Sequence, residues 1–138
     1  MKKEKVIRFG VSIEKELLQK FDNFVKQMKF ANRSEAFRHL IQEALLKEQV
    51  KPGNYVAGAI AIVYNHHTRE LVDKLIDIQH QFHENIISNM HIHLDHENCL
   101  EVIVVKGKYE GIIELANCLK GQKGISFGKL TITAVGKE

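Results

Sequence analysis

The sequence contains little that could crosslink the chain, anchor it in a membrane or direct it out of the cell. Its 138 residues include two cysteines, one proline and no tryptophan. Two cysteines allow one disulfide at most, but in a reducing compartment a core thiol and a metal ligand are the better interpretation. No run of about 18 apolar residues is present, so we expect no membrane-spanning helix. The N-terminal lysines are not followed by the apolar segment of a signal peptide, so we expect a cytoplasmic protein.

Charge is distributed unevenly along the chain. The formal net charge is +3. Residues 1–50 contain 11 Lys/Arg and 7 Asp/Glu, a net of +4, whereas residues 51–138 contain 9 and 10, a net of −1. A basic front end favours an anionic polymer as a partner. Histidine is skewed in the opposite sense, since seven of the eight histidines lie after residue 65.

The first 50 residues are predicted to form a strand followed by two helices. Residues 6–13 alternate between apolar and other side chains, as in a strand with one buried face. Helical spacing of apolar residues predicts helices at about 14–29 and 33–48, with Asn32 as the N-cap of the second. A unit of this size cannot bury that much apolar surface alone, and a single strand leaves two unpaired edges. We therefore expect a dimer in which the two strands pair antiparallel and four helices share a core.

The outward residues of this ribbon are candidates for reading DNA. The apolar residues of the strand would face the core, which leaves Arg8, Gly10 and Ser12 facing outward. A two-stranded ribbon fits the major groove of B-DNA, where an arginine can bind a guanine edge. Arg33 and Ser34 would contact phosphate at the start of the second helix, where backbone N–H groups are free. A plain dimerisation module with a solvated outer face is the alternative interpretation.

A linker and a second domain follow. The KPGN segment at 51–54 contains the only proline and predicts a domain boundary. After it, the patterns predict a strand, a helix at about 69–86, a strand at about 88–94, a DHEN turn, a further strand, a helix at about 108–120 and a closing strand, GISFGKLTITAVG. This β-α-β-β-α-β order is ferredoxin-like. We therefore predict an α+β protein with a β-α-α domain at 1–50 and a ferredoxin-like domain at 55–138.

The segment NMHIHLDHENC, residues 89–99, predicts a metal site. His91 and His93 are two residues apart, so they share one face of a strand, and Cys99 begins the next strand across a tight turn. A fourth ligand must come from elsewhere, and His80 of a second copy is a natural donor if the domain packs against itself. Imidazole and thiolate ligands suit zinc, copper or nickel and exclude magnesium and calcium. The spacing alone does not choose among these three metals.

Other polar residues near the predicted ligands are candidates for supporting roles or for a secondary metal site. Glu101 lies two residues from Cys99 on the same strand face, where it is either an acceptor that orients a ligand imidazole or a solvated carboxylate. His83 is one helical turn from His80 and is a candidate for a secondary metal site with Glu84. Cys118 is expected to be a core thiol. His66 and His67 are expected at a helix cap or at the surface, and His96 is expected to be solvated at the tip of the turn.

Two segments of the front end, RFGVSIEKELLQKFD and NRSEAFRHLI, resemble the ribbon-helix-helix transcription factors. With the QH pair at 79–80 and HIHLDHENCLEVIVVKG at 91–107, the chain resembles the NikR family of nickel-responsive regulators over essentially its whole length. The resemblance implies a tetramer, a dimer of dimers, on double-stranded DNA with a palindromic operator, and repression of nickel-uptake genes. It implies one Ni(II) per subunit, held by His91, His93, Cys99 and His80 of a neighbouring subunit.

The resemblance also implies roles for residues of the front end. The positions that contact bases in this family fall on Arg8, Gly10 and Ser12. Some members use acidic residues at the positions of Glu35 and His39 for an additional cation between the domains. Because the second position is a histidine here, we expect that site to be altered.

Three other functions fit parts of the sequence. A metallohydrolase would need an open coordination position and a base such as Glu84 or Glu101, and four protein ligands would close the site, so we do not expect an enzyme. A nickel store that dimerises through its front end would show no preference for DNA sequence. The same architecture could also sense zinc, cobalt, copper or an amino acid, which analysis of the bound ligand would reveal.

Overall fold

The computed structural model describes residues 4–135 and divides the chain into two compact units, at Glu43 and Ala44. The first unit contains helix α1, Lys15–Gln27, and the beginning of helix α2, Arg33–Gln49. Both helices lie close to the bounds predicted from apolar spacing. The division falls within α2, before the KPGN segment, so the last turns of this helix belong to the second unit.

Local chemistry explains how the two helices are joined. The Asn32 side-chain oxygen accepts the backbone N–H of Glu35 at 3.0 Å, which confirms the predicted N-cap of α2. The phenyl rings of Phe21 and Phe37 lie 4.9 Å apart and pack α1 against α2. Lys29, with φ of 58°, takes the left-handed conformation that reverses the chain between the helices.

Residues 4–14 have no regular secondary structure in the single chain, so the strand predicted at 6–13 is not formed there. A strand is defined by hydrogen bonds to a neighbouring strand, and a lone segment has none to make. The apolar residues of this segment are accordingly exposed, as Phe9 shows with 71% of its surface accessible. The paired ribbon stays a prediction for the dimer.

The second unit contains four strands and two further helices in the predicted β-α-β-β-α-β order. Its elements are β1 Tyr55–Asn65, α3 Arg69–Gln81, β2 Ile86–His93, β3 Asn98–Lys108, α4 Tyr109–Lys120 and β4 Ile125–Ala134. The sheet order is β2-β3-β1-β4 with every neighbouring pair antiparallel, consistent with a ferredoxin-like domain. Helix α3 ends earlier than predicted, because a short 3₁₀ turn at His83–Asn85 separates it from β2. Gly136, at the end of the predicted closing strand, lies outside the described residues.

One face of this sheet is covered by α3 and α4. Alternate residues of the central strands point into the resulting core, including Ile60 and Ile62 of β1 and Ile103 and Val105 of β3. Leucine and isoleucine side chains of the helices fill the other side, namely Leu71, Leu75, Ile112, Leu115 and Leu119. The same alternation along β3 directs Cys99 and Glu101 into the layer between sheet and helices. Polar and thiol groups are therefore held at the end of an apolar core.

The KPGN segment is attached to the second unit by hydrogen bonds. The Gly53 N–H donates to Oε1 of Glu110 at 2.7 Å, at the beginning of α4. The Asn54 side-chain amide donates to the carbonyl of Gln49 at 2.7 Å, and the Asn54 carbonyl accepts the Tyr109 N–H at 2.9 Å. A segment rich in turn residues is thus fixed at three points.

Candidate metal centre and DNA-facing segment

The β2–β3 hairpin brings the predicted ligand strand and the cysteine together. Its register pairs His93 with Cys99 and His91 with Glu101, so all four side chains share one face of the sheet. Asp95 shapes the connecting turn, since its Oδ1 accepts the backbone N–H groups of Glu97 and Asn98, both at 2.8 Å. The Asn98 side-chain amide and these N–H groups lower the pKa of the Asp95 carboxyl. The turn therefore fixes the register that places Cys99 opposite the histidine strand.

His91 and Cys99 are close enough to bind one ion. The Nδ1 atom of His91 lies 3.9 Å from Sγ of Cys99, whose side chain is 2% exposed. A borderline-soft divalent ion bonds thiolate sulfur at about 2.3 Å and imidazole nitrogen at about 2.0 Å, as zinc does, and so can join atoms up to about 4.3 Å apart. The pair therefore fits a first-row metal with nitrogen and sulfur ligands, such as nickel.

Glu101 is the one buried carboxylate that borders this pair among the described residues, and it is 1% exposed. The Tyr64 hydroxyl donates to its Oε2 at 2.7 Å, and the Gln79 amide donates to its Oε1 at 2.7 Å. His91 Nε2 lies 3.6 Å from Oε1, so one ring nitrogen faces the Glu101 carboxylate while the other faces Cys99. Because it is buried, Glu101 is not a solvated carboxylate, and its role as an acceptor that orients a ligand imidazole stays a prediction.

Sequence reasoning missed three neighbours of this carboxylate. Tyr64, at the end of β1, is also 3.4 Å from His91 Nδ1, and burial followed by its hydrogen bond to Glu101 raises the pKa of its hydroxyl. The Asn89 amide donates to Gln79 Oε1 at 3.0 Å and approaches Glu101 Oε1 at 3.4 Å. Tyrosine, glutamine and asparagine at these spacings form no motif, so only the strand pairing and the position of α3 reveal them.

The second histidine of the strand has different neighbours. The His93 ring centroid lies 4.6 Å from that of His66, which in turn lies 4.2 Å from that of His67. Burial, followed by the nearby imidazoles, lowers the pKa of His66. His67 Nε2 lies 2.9 Å from the carbonyl oxygen of His96 and ties the loop after β1 to the hairpin turn. The His93 ring thus packs against His66, while His67 links the loop after β1 to the hairpin turn.

His80 occupies the last turn of α3 and is exposed. It lines a groove of about 410 Å³ whose other polar lining residues are Tyr64, Gln79, His83, Asn89, His91 and Glu101. Nδ1 of His83 lies 3.1 Å from the His80 carbonyl, which places His83 against the end of the helix. Within residues 4–135 of one chain, no three His, Cys, Asp or Glu side chains form a group that could hold a metal.

In the front unit, four of the five predicted DNA-contacting residues line a second groove. It measures about 980 Å³ and includes Arg8, Ser12, Arg33 and Ser34. The guanidinium of Arg33 donates to both carboxylate oxygens of Asp22, at 2.7 and 2.8 Å, and this pairing raises the pKa of Arg33. Nothing lies within 4 Å of the place where a Cβ on Gly10 would stand. Arg8 and Ser12 are exposed, so this segment presents both side chains to a partner.

The residues considered for an additional cation have protein partners. Glu35 Oε1 lies 2.9 Å from the Arg38 guanidinium, one helical turn along α2. His39 Nε2 lies 4.0 Å from Oε2 of Glu43, and its ring centroid lies 5.2 Å from that of Phe30. An arginine beside Glu35 opposes the binding of a cation there.

Residues 57–133 match the protein family described as NikR C terminal nickel binding domain. A protein of Syntrophus aciditrophicus (strain SB) is 51% identical over 132 residues, which cover 96% of this chain and 96% of that protein. A protein of Chlorobaculum tepidum is 50% identical over 127 residues, covering 92% and 95%, and one of Pyrococcus furiosus is 46% identical over 134 residues, covering 96% and 97%. Each is named "Putative nickel-responsive regulator". The chain belongs to the NikR family.

Membership in the NikR family bears on several of the predictions from sequence. A nickel-binding domain at 57–133 agrees with nickel as the metal and with the ferredoxin-like region as its site. The three NikR relatives are named as regulators, which agrees with the prediction that the chain is not an enzyme. Among residues 4–135, no helix is long and apolar enough to cross a membrane.

Proposed function

We propose that this chain is a nickel-dependent transcriptional regulator, in which Ni(II) binding promotes attachment to a palindromic operator and represses nickel-uptake genes. The observation that carries the proposal is the 3.9 Å approach of His91 Nδ1 to Cys99 Sγ. It lies inside a domain of the NikR nickel-binding family. Buried thiol sulfur beside an oriented imidazole is a donor set for a transition metal and not for magnesium or calcium.

The proposed ligands are His91, His93 and Cys99 of one subunit and His80 of a neighbour, with one Ni(II) per subunit. When bound, Ni(II) supplies a cationic centre that holds these four donors in one geometry. His93 is the register partner of Cys99, so a rotation of its ring away from His66 would direct it to the same place. His80 is exposed on α3, and residues 4–135 of one chain do not bring three such donors together, which favours a ligand shared between subunits.

A shared ligand set makes metal binding and assembly interdependent. Because donors come from two subunits, ligation joins them, and together with the ribbon dimer proposed for the front unit this supports a homotetramer built as a dimer of dimers. Large apolar side chains on the sheet face opposite the helices are exposed in the single chain, among them Met90, Val104 and Phe127. Exposed apolar surface of this kind is typical of an interface between subunits.

The front unit is the proposed DNA reader. Arg8, Gly10 and Ser12 would lie on the outer face of a paired ribbon in the major groove, and Ser34 with the N-terminal amides of α2 would bind phosphate. Arg33 is already paired with Asp22. It would therefore act mainly by adding positive charge near the start of α2, and less by a direct contact with phosphate. The net charge of +4 over residues 1–50 favours the same partner.

Metal binding and DNA binding would be coupled because Ni(II) binds one arrangement of the tetramer more tightly than the others. Metal ligands and base-contacting residues belong to different units, so the coupling runs through subunit assembly and the chain that joins the units. The metal-free tetramer would occupy several arrangements of its DNA-binding dimers, and the ligated one would favour the arrangement that fits both half-sites. By the same linkage, operator DNA would tighten the affinity for Ni(II).

Purified metal-free protein tests the proposal when incubated with a random-sequence duplex library, with and without NiCl₂. We expect enrichment of an inverted repeat only with NiCl₂, and loss of the enrichment in His93→Ala. The matched control is His96→Ala, which removes an exposed turn histidine that is not a proposed ligand. DNA binding that is indifferent to Ni(II), and equally tight in His93→Ala, would overturn the proposal.

The choice of metal is tested in the same assay with ZnCl₂, CoCl₂ and CuCl₂ in place of NiCl₂. We expect nickel alone to give both the enriched repeat and an absorption band of a planar Ni–thiolate centre, which Cys99→Ser abolishes. A full response to zinc without a response to nickel would make the chain a sensor of another metal. Metal binding without any sequence preference would make it a nickel-binding protein that does not read DNA.

A further inference from the structure

Gln79 is the one residue of α3 whose amide bonds to the buried carboxylate at the metal site. Its Nε2 donates to Glu101 Oε1 at 2.7 Å, and its Oε1 accepts the Asn89 amide at 3.0 Å. Glu101 Oε1 is also the oxygen nearest to His91 Nε2, at 3.6 Å. The side chain of Gln79 is thus hydrogen-bonded to the carboxylate that faces a proposed ligand of its own subunit.

The next residue along the helix is His80, the proposed ligand for a neighbouring subunit. Consecutive residues of an α-helix point about 100° apart, because there are 3.6 residues per turn. Gln79 therefore turns toward the sheet, where it is partly buried, while His80 is exposed. The helix ends one residue later, at Gln81, and the next turn is the 3₁₀ segment His83–Asn85. A helix end is the part of a helix most prone to fraying, so His80 depends on contacts that hold this last turn.

We propose that Gln79 is a positioning residue that joins the two ligand-bearing elements of each subunit, tying the α3 turn that offers His80 to the Glu101 carboxylate that faces His91. The inference rests on the proposed function, because it requires His80 to serve the ion of a neighbour. Ligation of His91 fixes Glu101, Glu101 fixes Gln79, and Gln79 orders His80. Filling one site therefore prepares the ligand for the next, and successive ions bind with positive cooperativity.

If Gln79 acts only within its own metal site, its loss should affect Ni(II) binding in a different way. If Gln79 only supports His91 in its own site, its loss would weaken metal binding whether or not His80 is present. If Gln79 acts through His80, its loss would matter only when His80 can ligate. A double-mutant cycle between the two positions separates these cases, because it isolates the interaction of two residues from their separate effects.

The experiment compares Gln79→Met in the native chain and in His80→Ala, with full-length protein loaded from NiCl₂ in competition with a chelator. We expect Gln79→Met to weaken Ni(II) binding about tenfold in the native background, the scale typical of a lost outer-sphere partner. In His80→Ala we expect a change of less than about twofold, and a Hill coefficient that Gln79→Met lowers toward 1 in the native background. Gln81→Met is the matched control, since Gln81 flanks His80 on its other side and is exposed.

A second readout needs no metal. Hydrogen exchange of residues 78–83 in metal-free protein should quicken in Gln79→Met and stay unchanged in Gln81→Met. If Gln79→Met does not fold, Gln79→Asn keeps the amide on a side chain one methylene shorter, and the same results are expected. Equal losses of affinity in both backgrounds, or no loss in the native one, would overturn the inference while the proposed regulator stands. Failure of the wild-type protein to bind Ni(II) would overturn the proposed function itself.

Discussion

The Tyr64 hydroxyl donates a 2.7 Å hydrogen bond to Oε2 of Glu101, and both groups are buried. The two residues are 37 positions apart in the chain. They meet because β1 and β3 are neighbours in the sheet and both side chains face the helices. Tyr64 therefore stabilises a carboxylate that would otherwise have one donor fewer in an apolar layer.

Replacing Tyr64 by phenylalanine should both destabilise the domain and loosen the metal site. Removing one partner of a buried hydrogen bond to a charged group costs roughly 1–3 kcal/mol of unfolding free energy. We expect a loss in that range by urea denaturation of the metal-free protein, and weaker Ni(II) binding because Glu101 lies 3.6 Å from the proposed ligand His91. Tyr55→Phe is the control, since Tyr55 is exposed at the start of β1. Unchanged stability and affinity in Tyr64→Phe would contradict this role.

Alanine substitution should lower stability at one glycine and leave it unchanged at another. A Cβ on Gly58, in the central strand β1, would collide with the Thr131 carbonyl and the Ile132 side chain of β4. Overpacking of this kind typically costs about 1–3 kcal/mol, so Gly58→Ala should lower the midpoint of urea denaturation. At Gly10 nothing lies within 4 Å of the added Cβ, so Gly10→Ala should leave stability unchanged.

The same two glycine variants distinguish an effect on folding from an effect on DNA recognition. On the proposed function, Gly10→Ala should weaken binding to the selected inverted repeat, because the methyl group blocks close approach of the ribbon to bases. Fluorescence anisotropy with labelled duplex measures this at constant salt. Full affinity in Gly10→Ala would remove this position from the proposed DNA interface.

The sequence predicted those parts of the molecule that depend on local pattern. Period-two and period-3.6 apolar spacing predicted both helices of the front unit and the order of elements in the second. Asn32 was predictable as an N-cap because its acceptor acts on a residue three positions away. His91, His93 and Cys99 were predictable as neighbours because a tight turn joins their strands.

What the sequence did not reveal depends on distant pairing or on a second chain. Gln79 and Tyr64 meet Glu101 only through the packing of α3 and β1 against β3. The end of α3 at Gln81 was missed because the apolar spacing continues to Phe82 and Ile86 through a 3₁₀ turn that has no signal of its own. The strand at 6–13 was expected only as part of a dimer, and a single chain offers it no partner.

The Asp22–Arg33 pair predicts a dependence of stability on pH. The hydrogen bond from Arg33 lowers the pKa of the Asp22 carboxyl below its ordinary value of 3.8. A carboxyl whose pKa is lower in the folded chain stabilises that state above the unfolded pKa, and the contribution disappears as the pH falls through the folded pKa. Asp22→Asn should therefore be less stable than the wild type at pH 7, with the difference shrinking below about pH 4.

Thermal unfolding followed by circular dichroism between pH 3 and pH 7 measures this difference. Asp77→Asn is the control, because Asp77 is an exposed carboxylate of α3 in the other unit. Both side chains of the pair are partly exposed, so 1 M NaCl should reduce the effect. A difference between wild type and Asp22→Asn that is constant over the whole pH range would contradict the assignment.

Glu110 fixes the KPGN segment by accepting the Gly53 N–H. Substituting Glu110 should therefore change the mobility of this segment without altering the metal site or the DNA-facing segment. Glu110→Ala removes the acceptor of the Gly53 N–H, whereas Glu110→Gln keeps a side-chain oxygen at the same distance. We expect faster hydrogen exchange at residues 53 and 54 in Glu110→Ala and near-native exchange in Glu110→Gln. Ni(II) affinity should stay unchanged in both, because Glu110 contacts none of the proposed ligands.

The functional consequence follows from the proposed coupling between the units. If the KPGN segment, which follows α2 within the second unit, transmits metal binding to the front end, loosening it should reduce the difference in DNA affinity with and without NiCl₂. Anisotropy titrations of Glu110→Ala should show a smaller nickel-induced gain than those of Glu110→Gln. Equal gains in the two variants, despite faster exchange in one, would show that the fixed segment at 51–54 does not carry the signal and that subunit assembly alone does.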